Sequence, residues 1–128
     1  RDEEYKILRD LTARLSYQSP LLKQYMEVLG EYDFIRAKAK LAQTMDAHIP
    51  HVEDSSGIKL INAYHPLLLI YNKKSGKQVI PLDLTLDEKN RILLISGPNA
   101  GGKTVCLKTT GLLQMMVQSG LLVPVHPI

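Results

Sequence analysis

The stretch LLISGPNAGGKTVCLKTTG, residues 93–111, decides how the chain is read. Its centre, GPNAGGKT at 97–104, fits the pattern GxxxxGK[ST], in which a glycine-rich loop joins a strand to a helix and cradles phosphate. The flanks suit that role. RILLIS, at 91–96, reads as a strand buried on both faces, as at the centre of a parallel sheet. A helix follows from about Lys103 to Ser119, with Gly120 placed to end it in a left-handed conformation, and LLVPV starts a further strand. Strand, loop, helix, strand is half of an α/β nucleotide-binding sheet.

Each loop position has a chemical reason. Gly97, Gly101 and Gly102 open backbone conformations closed to residues with a Cβ and let amides approach phosphate oxygens. Pro98 stiffens the entry. The first-turn amides of the helix, with its dipole, favour an anion, and Lys103 directs a full positive charge at the β and γ phosphates. Thr104 offers its hydroxyl to Mg²⁺. The candidate nucleotide site is therefore Gly97, Pro98, Asn99, Ala100, Gly101, Gly102, Lys103, Thr104 and Val105, with ATP and Mg²⁺ as the expected cofactors. Hydrolysis asks for more: an acidic residue on a later strand for the metal, and a group that positions water. No such strand remains after Pro127. The chain alone is thus expected to hold the Walker A loop without the rest of a catalytic site, to leave ATP unhydrolysed and to bind nucleotide weakly.

Upstream the periodicity is different. Tyr5, Leu8, Leu11 and Leu15 are three or four apart, which gathers them on one face of a short helix over 1–17. Ser19 as N-cap and Pro20 in the first turn begin a second helix running to Ala47, about 42 Å at the usual rise. It reads either as a bundle helix or as a lever joining two working parts. PHVEDSSG (50–57) is a linker, so the chain divides into helices over 1–50 and a sheet-forming part over 51–128. IKLINAY and VIPLDLTLD alternate like strands, with Leu82, Leu84 and Leu86 on one face, and NKKSGK between them has hairpin-turn chemistry. The fold class expected is mixed α/β: long helices, then the first part of a P-loop sheet.

Composition sets outer limits. Of 128 residues 45% are hydrophobic, which suits a globular chain. The longest apolar run, 66–71, is far short of the roughly 20 residues a membrane span needs. The lone Cys106 makes no internal disulfide and fits a reducing cytoplasm. The formal charge of +3 comes from residues 49–128, with 8 basic and 5 acidic side chains, whereas residues 1–48 carry 8 of each. That excess is too small to argue for nucleic acid by itself. An opening Arg1 in place of methionine reads as a piece of a longer protein.

In this order, INAYHPLLL, VIPLDLTL, ISGPNAGGKT and SGLLVPV resemble the start of the ATPase domain of the MutS family of DNA-repair ATPases. The resemblance covers nearly the whole chain. KTVCLKTTGLLQMMVQSGLLVP looks more like the second bacterial branch, MutS type two, than like the mismatch-recognising branch, whose helix more often begins KSTYMRQ. It implies an ABC-type ATPase domain preceded by the end of a helical core and lever, a homodimer, and a clamp and an Smr endonuclease domain elsewhere in the parent. It also implies double-stranded or branched DNA as partner, suppression of recombination, in some bacteria rescue of collided ribosomes, and no membrane partner. By the same resemblance Val79 and Ile80 lie against the adenine. Relatives commonly have an aromatic residue where Val79 stands, so apolar packing is expected there instead of stacking. His65, before Pro66, reads first as fixing the end of the strand and second as a neighbour of the base. A P-loop ATPase of another class, serving transport or ribosome handling, is the alternative.

The remaining signals are bland. Pro50 keeps His48 and His51 off one helical face, so with Glu53 and Asp54 they read as a solvated loop and not as a metal site. Lys73, Lys74 and Lys77 read as a wet turn. Cys106, Met115, Met116 and Val117 read as packing residues.

Overall fold

The computed structural model describes residues 1–98 and 101–126, with Lys74 described in its backbone only. Its elements are α1 (Asp2–Ser16), α2 (Ser19–Met45), β1 (Ile58–Ala63), α3 (Pro66–Ser75), β2 (Leu82–Leu86) and α4 (Lys103–Gln118). The architecture is mixed α/β, as expected. The chain divides into two compact units, Arg1–Ala37 and Lys38–Ile128.

In the first unit α1 begins with Asp2, Glu3 and Glu4 and has Arg14 in its last turn, so charge complements the dipole at both ends. The expected apolar stripe forms but is exposed: Tyr5, Leu8, Leu11 and Leu15 all stand open. The second helix begins one residue earlier than expected. Gln18 accepts the first helical bond, from the Leu22 amide, so Gln18 and not Ser19 occupies the cap position, and Pro20 falls inside the first turn, where its missing N–H costs nothing.

In the second unit α2 ends in a left-handed turn on a residue other than glycine. Asp46 has φ 50°, and Ala47 N–H donates to Ala42 O at 2.9 Å, closing the last helical carbonyls. The core gathers Met45 of α2, Ala63 of β1, Leu113 and Met116 of α4 and Val123 after it, with Leu69 and Ile70 of 66–75 and Leu82 packed against them. α4 contributes a buried stripe of Thr109, Leu113 and Met116, four and three residues apart, and Thr109 satisfies its hydroxyl by donating to Val105 O at 2.7 Å.

β1 and β2 pair antiparallel, Ile58 with Leu86 and Ala63 with Leu82. Between them Ile61 and Asn62 oppose Asp83 alone, a bulge. Asn62 takes φ 47°, a conformation its short polar side chain tolerates, and its amide donates to Asp83 Oδ1 at 2.7 Å.

The structure corrects three sequence expectations. The two strands are not joined by a simple hairpin, because 66–75 is the helix α3. Pro66 starts it and Gly76, at φ 65°, ends it, but its apolar residues come first and its polar ones last, so no helical stripe advertised it. RILLIS is not a strand in this chain. Ile92 and Leu94 are 92% and 87% exposed, and the sheet has two strands only, β1 and β2, among the described residues. A strand buried on both faces depends on neighbours on both sides, which periodicity cannot supply. Finally, LLVPV makes an isolated bridge between Val123 and His48 in place of a strand. Pro124, fully buried, has no N–H for a ladder, although its carbonyl accepts from Tyr64 N–H at 2.9 Å.

The turn after β2 is organised by Asp87. Its Oδ1 accepts from the amides of Asn90 (2.6 Å) and Lys89 (2.9 Å) and from Asn90 Nδ2 (3.2 Å). These donors, the Asn90 amide foremost, favour the charged carboxylate and hold its pKa below the ordinary aspartate value. The turn is therefore steadied by this charge at every pH above the unfolded-state pKa, and that contribution fades as pH falls through the lower folded one. A carboxyl NMR titration is expected to give Asp87 a midpoint below that of an aspartate in an unstructured peptide. An equal or higher midpoint would refute it.

Candidate functional site

The loop that precedes α4 is shaped by its own backbone. Gly102 is the N-cap residue at φ 80°, a left-handed conformation that side-chain-bearing residues rarely take, and Gly97 lies at φ 141°. The Gly101 amide donates to Pro98 O at 3.0 Å. A Cβ on Gly101 would stand 3.1 Å from that same oxygen, so the tight return of the chain suits glycine here. Asn99 and Ala100 lie outside the described residues.

The ladder of α4 opens with Cys106 N–H on Gly102 O at 3.0 Å, which leaves the amides of 103–105 ahead of it, as at any helix start. No side chain among the described residues caps them, and the first turn carries no acid. Lys103 is half-buried and folds back over the loop, its Nζ donating to Gly97 O and, at 2.8 Å, to Pro98 O. Thr104 and Val105 are exposed. One end of α4 thus presents a cation, a hydroxyl and a set of leading amides beside a glycine turn, a donor set suited to an anion. Cys106, next along the helix, is half-buried and free.

The residues expected at the base belong to other segments of the second unit. His65 is the N-cap of α3 in an extended conformation, and its Nδ1 is buried without a hydrogen-bond partner among the described residues. Ile80 is 88% exposed. Val79 lines a cavity of about 770 Å³ to which none of the described residues of the 97–104 loop contributes. That cavity was not legible in the sequence, since its walls come from the end of α2, the bulge, the end of α3 and the segment 124–126, which no motif links. Of the packing residues, Met116 is buried and Val117 joins the core, whereas Met115 is exposed. His51 pairs with Glu53 at 3.1 Å on the surface. No helix among the described residues is long and apolar enough to cross a membrane.

Comparison with known proteins gives one consistent result. The chain is 44% identical over 122 residues to "Endonuclease MutS2" of Carboxydothermus hydrogenoformans, a match covering 95% of this chain and 15% of that protein. Proteins with the same name in Leuconostoc mesenteroides (40% over 121 residues; 94% and 14%) and Levilactobacillus brevis (41% over 127 residues; 98% and 15%) match over the same span. No protein-family profile matches. Over the segment it spans, about one seventh of these relatives' length, the chain belongs to the MutS2 family.

Proposed function

We propose that this chain is the phosphate-binding segment of an ATP-dependent, DNA-acting endonuclease of the MutS type, with its nucleotide held between the 97–104 loop and the first turn of α4. The observation that carries this is Lys103. Its ammonium is fixed at the mouth of a glycine turn whose geometry a Cβ would disturb, beside leading amides in a first turn that carries no acid. Those residues fit a triphosphate: Lys103 would hold the β and γ oxygens, the amides of 102–105 the remaining phosphate oxygens, and the Thr104 hydroxyl would ligate Mg²⁺. The metal would supply charge neutralisation on the phosphates when bound.

The reading extends to the whole protein by way of its relatives, which are named as endonucleases. Cleavage of DNA, hydrolysis of ATP and assembly as a homodimer are assigned to that protein. The 128 residues alone carry no acid after Glu88 to hold a hydrolytic metal, and are assigned binding without turnover. The full-length protein is expected to bind Mg-ATP in a calorimetric titration, and the isolated chain to bind it more weakly and release no phosphate. A full-length protein that binds no adenine nucleotide would sink the proposal.

A further inference from the structure

We infer, given the assignment of a triphosphate to the 97–104 loop, that Lys38, a residue outside that loop, is a positioning residue for it: from the far end of α4 it sets the direction in which the helix presents its leading amides. The reason lies in the helix itself. α4 has 16 residues, about 24 Å of stiff rod. Its carboxyl end carries the negative end of the dipole, yet no basic residue stands in its last turn. The cation comes from another element. The amides of Ser119, Gly120 and Leu121 close back on Met115 O, Met116 O and Val117 O, and the next two carbonyls go to Lys38 of α2, the first residue of the second unit. Its Nζ donates to Ser119 O at 3.4 Å and to Gly120 O at 3.3 Å. Gly120 turns left-handed there, at φ 65°, and a Cβ on it would stand 3.5 Å from the same Nζ, so the ammonium lies directly against the turn.

The other anchors hold α4 without aiming it. Leu113 and Met116 share a core with Met45, and apolar packing of this kind is non-directional. The two backbone bonds between His48 and Val123, at 2.9 Å and 3.0 Å, fasten the segment after the turn and not the helix. A charge-assisted hydrogen bond is directional. Along the axis Leu113 is about 9 Å from Ser119 and about 15 Å from Lys103, so a sideways slip at the carboxyl end reappears enlarged at the amino end. A preorganised site tolerates roughly 0.5 Å. Without the Lys38 contact the helix samples several directions and a bound nucleotide must select one of them, which lowers affinity.

The experiment is a calorimetric titration of Mg-ATP into the full-length protein and its Lys38→Met and Lys38→Arg variants, with hydrogen exchange at amides 119–123 followed in the absence and presence of nucleotide. Lys38→Met is expected to bind about three- to tenfold more weakly, and Lys38→Arg, which keeps the cation, to bind like the parent. Exchange at 119–123 is expected to be faster in nucleotide-free Lys38→Met and to return to the parental rate at saturating Mg-ATP, because the ligand then supplies the ordering that the lysine otherwise provides. A cap with a structural role alone would speed exchange without recovery by nucleotide and would leave affinity unchanged. Unchanged affinity in Lys38→Met, exchange that nucleotide does not slow, or loss of cooperative melting in that variant would each overturn the inference and leave the phosphate site standing. A parent protein that binds no Mg-ATP would instead remove the site, and this role of Lys38 with it.

Discussion

Replacing Lys103 with alanine in the full-length protein is expected to weaken Mg-ATP binding on the order of a hundredfold or more and to abolish any ATP-dependent activity, while leaving thermal stability nearly unchanged. Charge-assisted hydrogen bonds contribute about 1.5–3 kcal/mol each, and an ammonium spanning two phosphates makes at least two. Together they are worth about 3–6 kcal/mol, a factor that no neighbouring group can replace. Among the described residues the same ammonium bridges Gly97 O and Pro98 O, a surface contact whose loss water compensates. Titration calorimetry and a melting curve on one preparation separate the two effects. Equal nucleotide affinity in both proteins would remove the lysine from the site. A large drop in melting temperature would make it a structural residue.

The relation between sequence and structure follows from which interactions are local. α1, α2 and α4 were legible because helix hydrogen bonds stay within the segment, and Pro20, Gly120 and the spacing of Leu8, Leu11 and Leu15 mark them from inside. Gly120 takes φ 65°, as its position after α4 suggests. β1 and β2 were legible as alternating stretches, but what joins them was not. α3 packs Leu69 and Ile70 toward the core while Leu67 and Tyr71 stay exposed, a division set by neighbours and not by any stripe in 66–75. RILLIS shows the opposite case. Its hydrophobicity answers to strands on either side, so its six residues cannot by themselves decide whether they pair. The glycine loop stood out because the phosphate binding proposed for it would constrain residue types at fixed offsets. The cavity that Val79 lines did not, because Asp46, Asn62, Lys73 and His126 are brought together only by the bulge, the end of α3 and the bridge at His48.

The position where packing matters most is Leu113, at 1% exposure the residue through which α4 meets the rest of the second unit. Leu113→Ala is expected to destabilise the chain by about 2–5 kcal/mol, because it removes buried methyl groups and leaves a hole among Met45, Met116 and Val123 that a packed core closes only in part. Against a total stability of about 5–15 kcal/mol for an ordinary domain, that is a large share. Leu113→Met, nearly equal in volume, should cost under about 1.5 kcal/mol. Met115→Ala, two residues along but 65% exposed, should stay within about 0.5 kcal/mol of the parent. Urea unfolding of the three variants checks the order. The consequence reaches the loop, since Lys103 and Thr104 are positioned by the first turn of the helix that Leu113 anchors. Loosening that anchor is expected to raise the hydrogen-exchange rate of α4 amides along its length, and uniform protection in Leu113→Ala would show that the loop is held by other means.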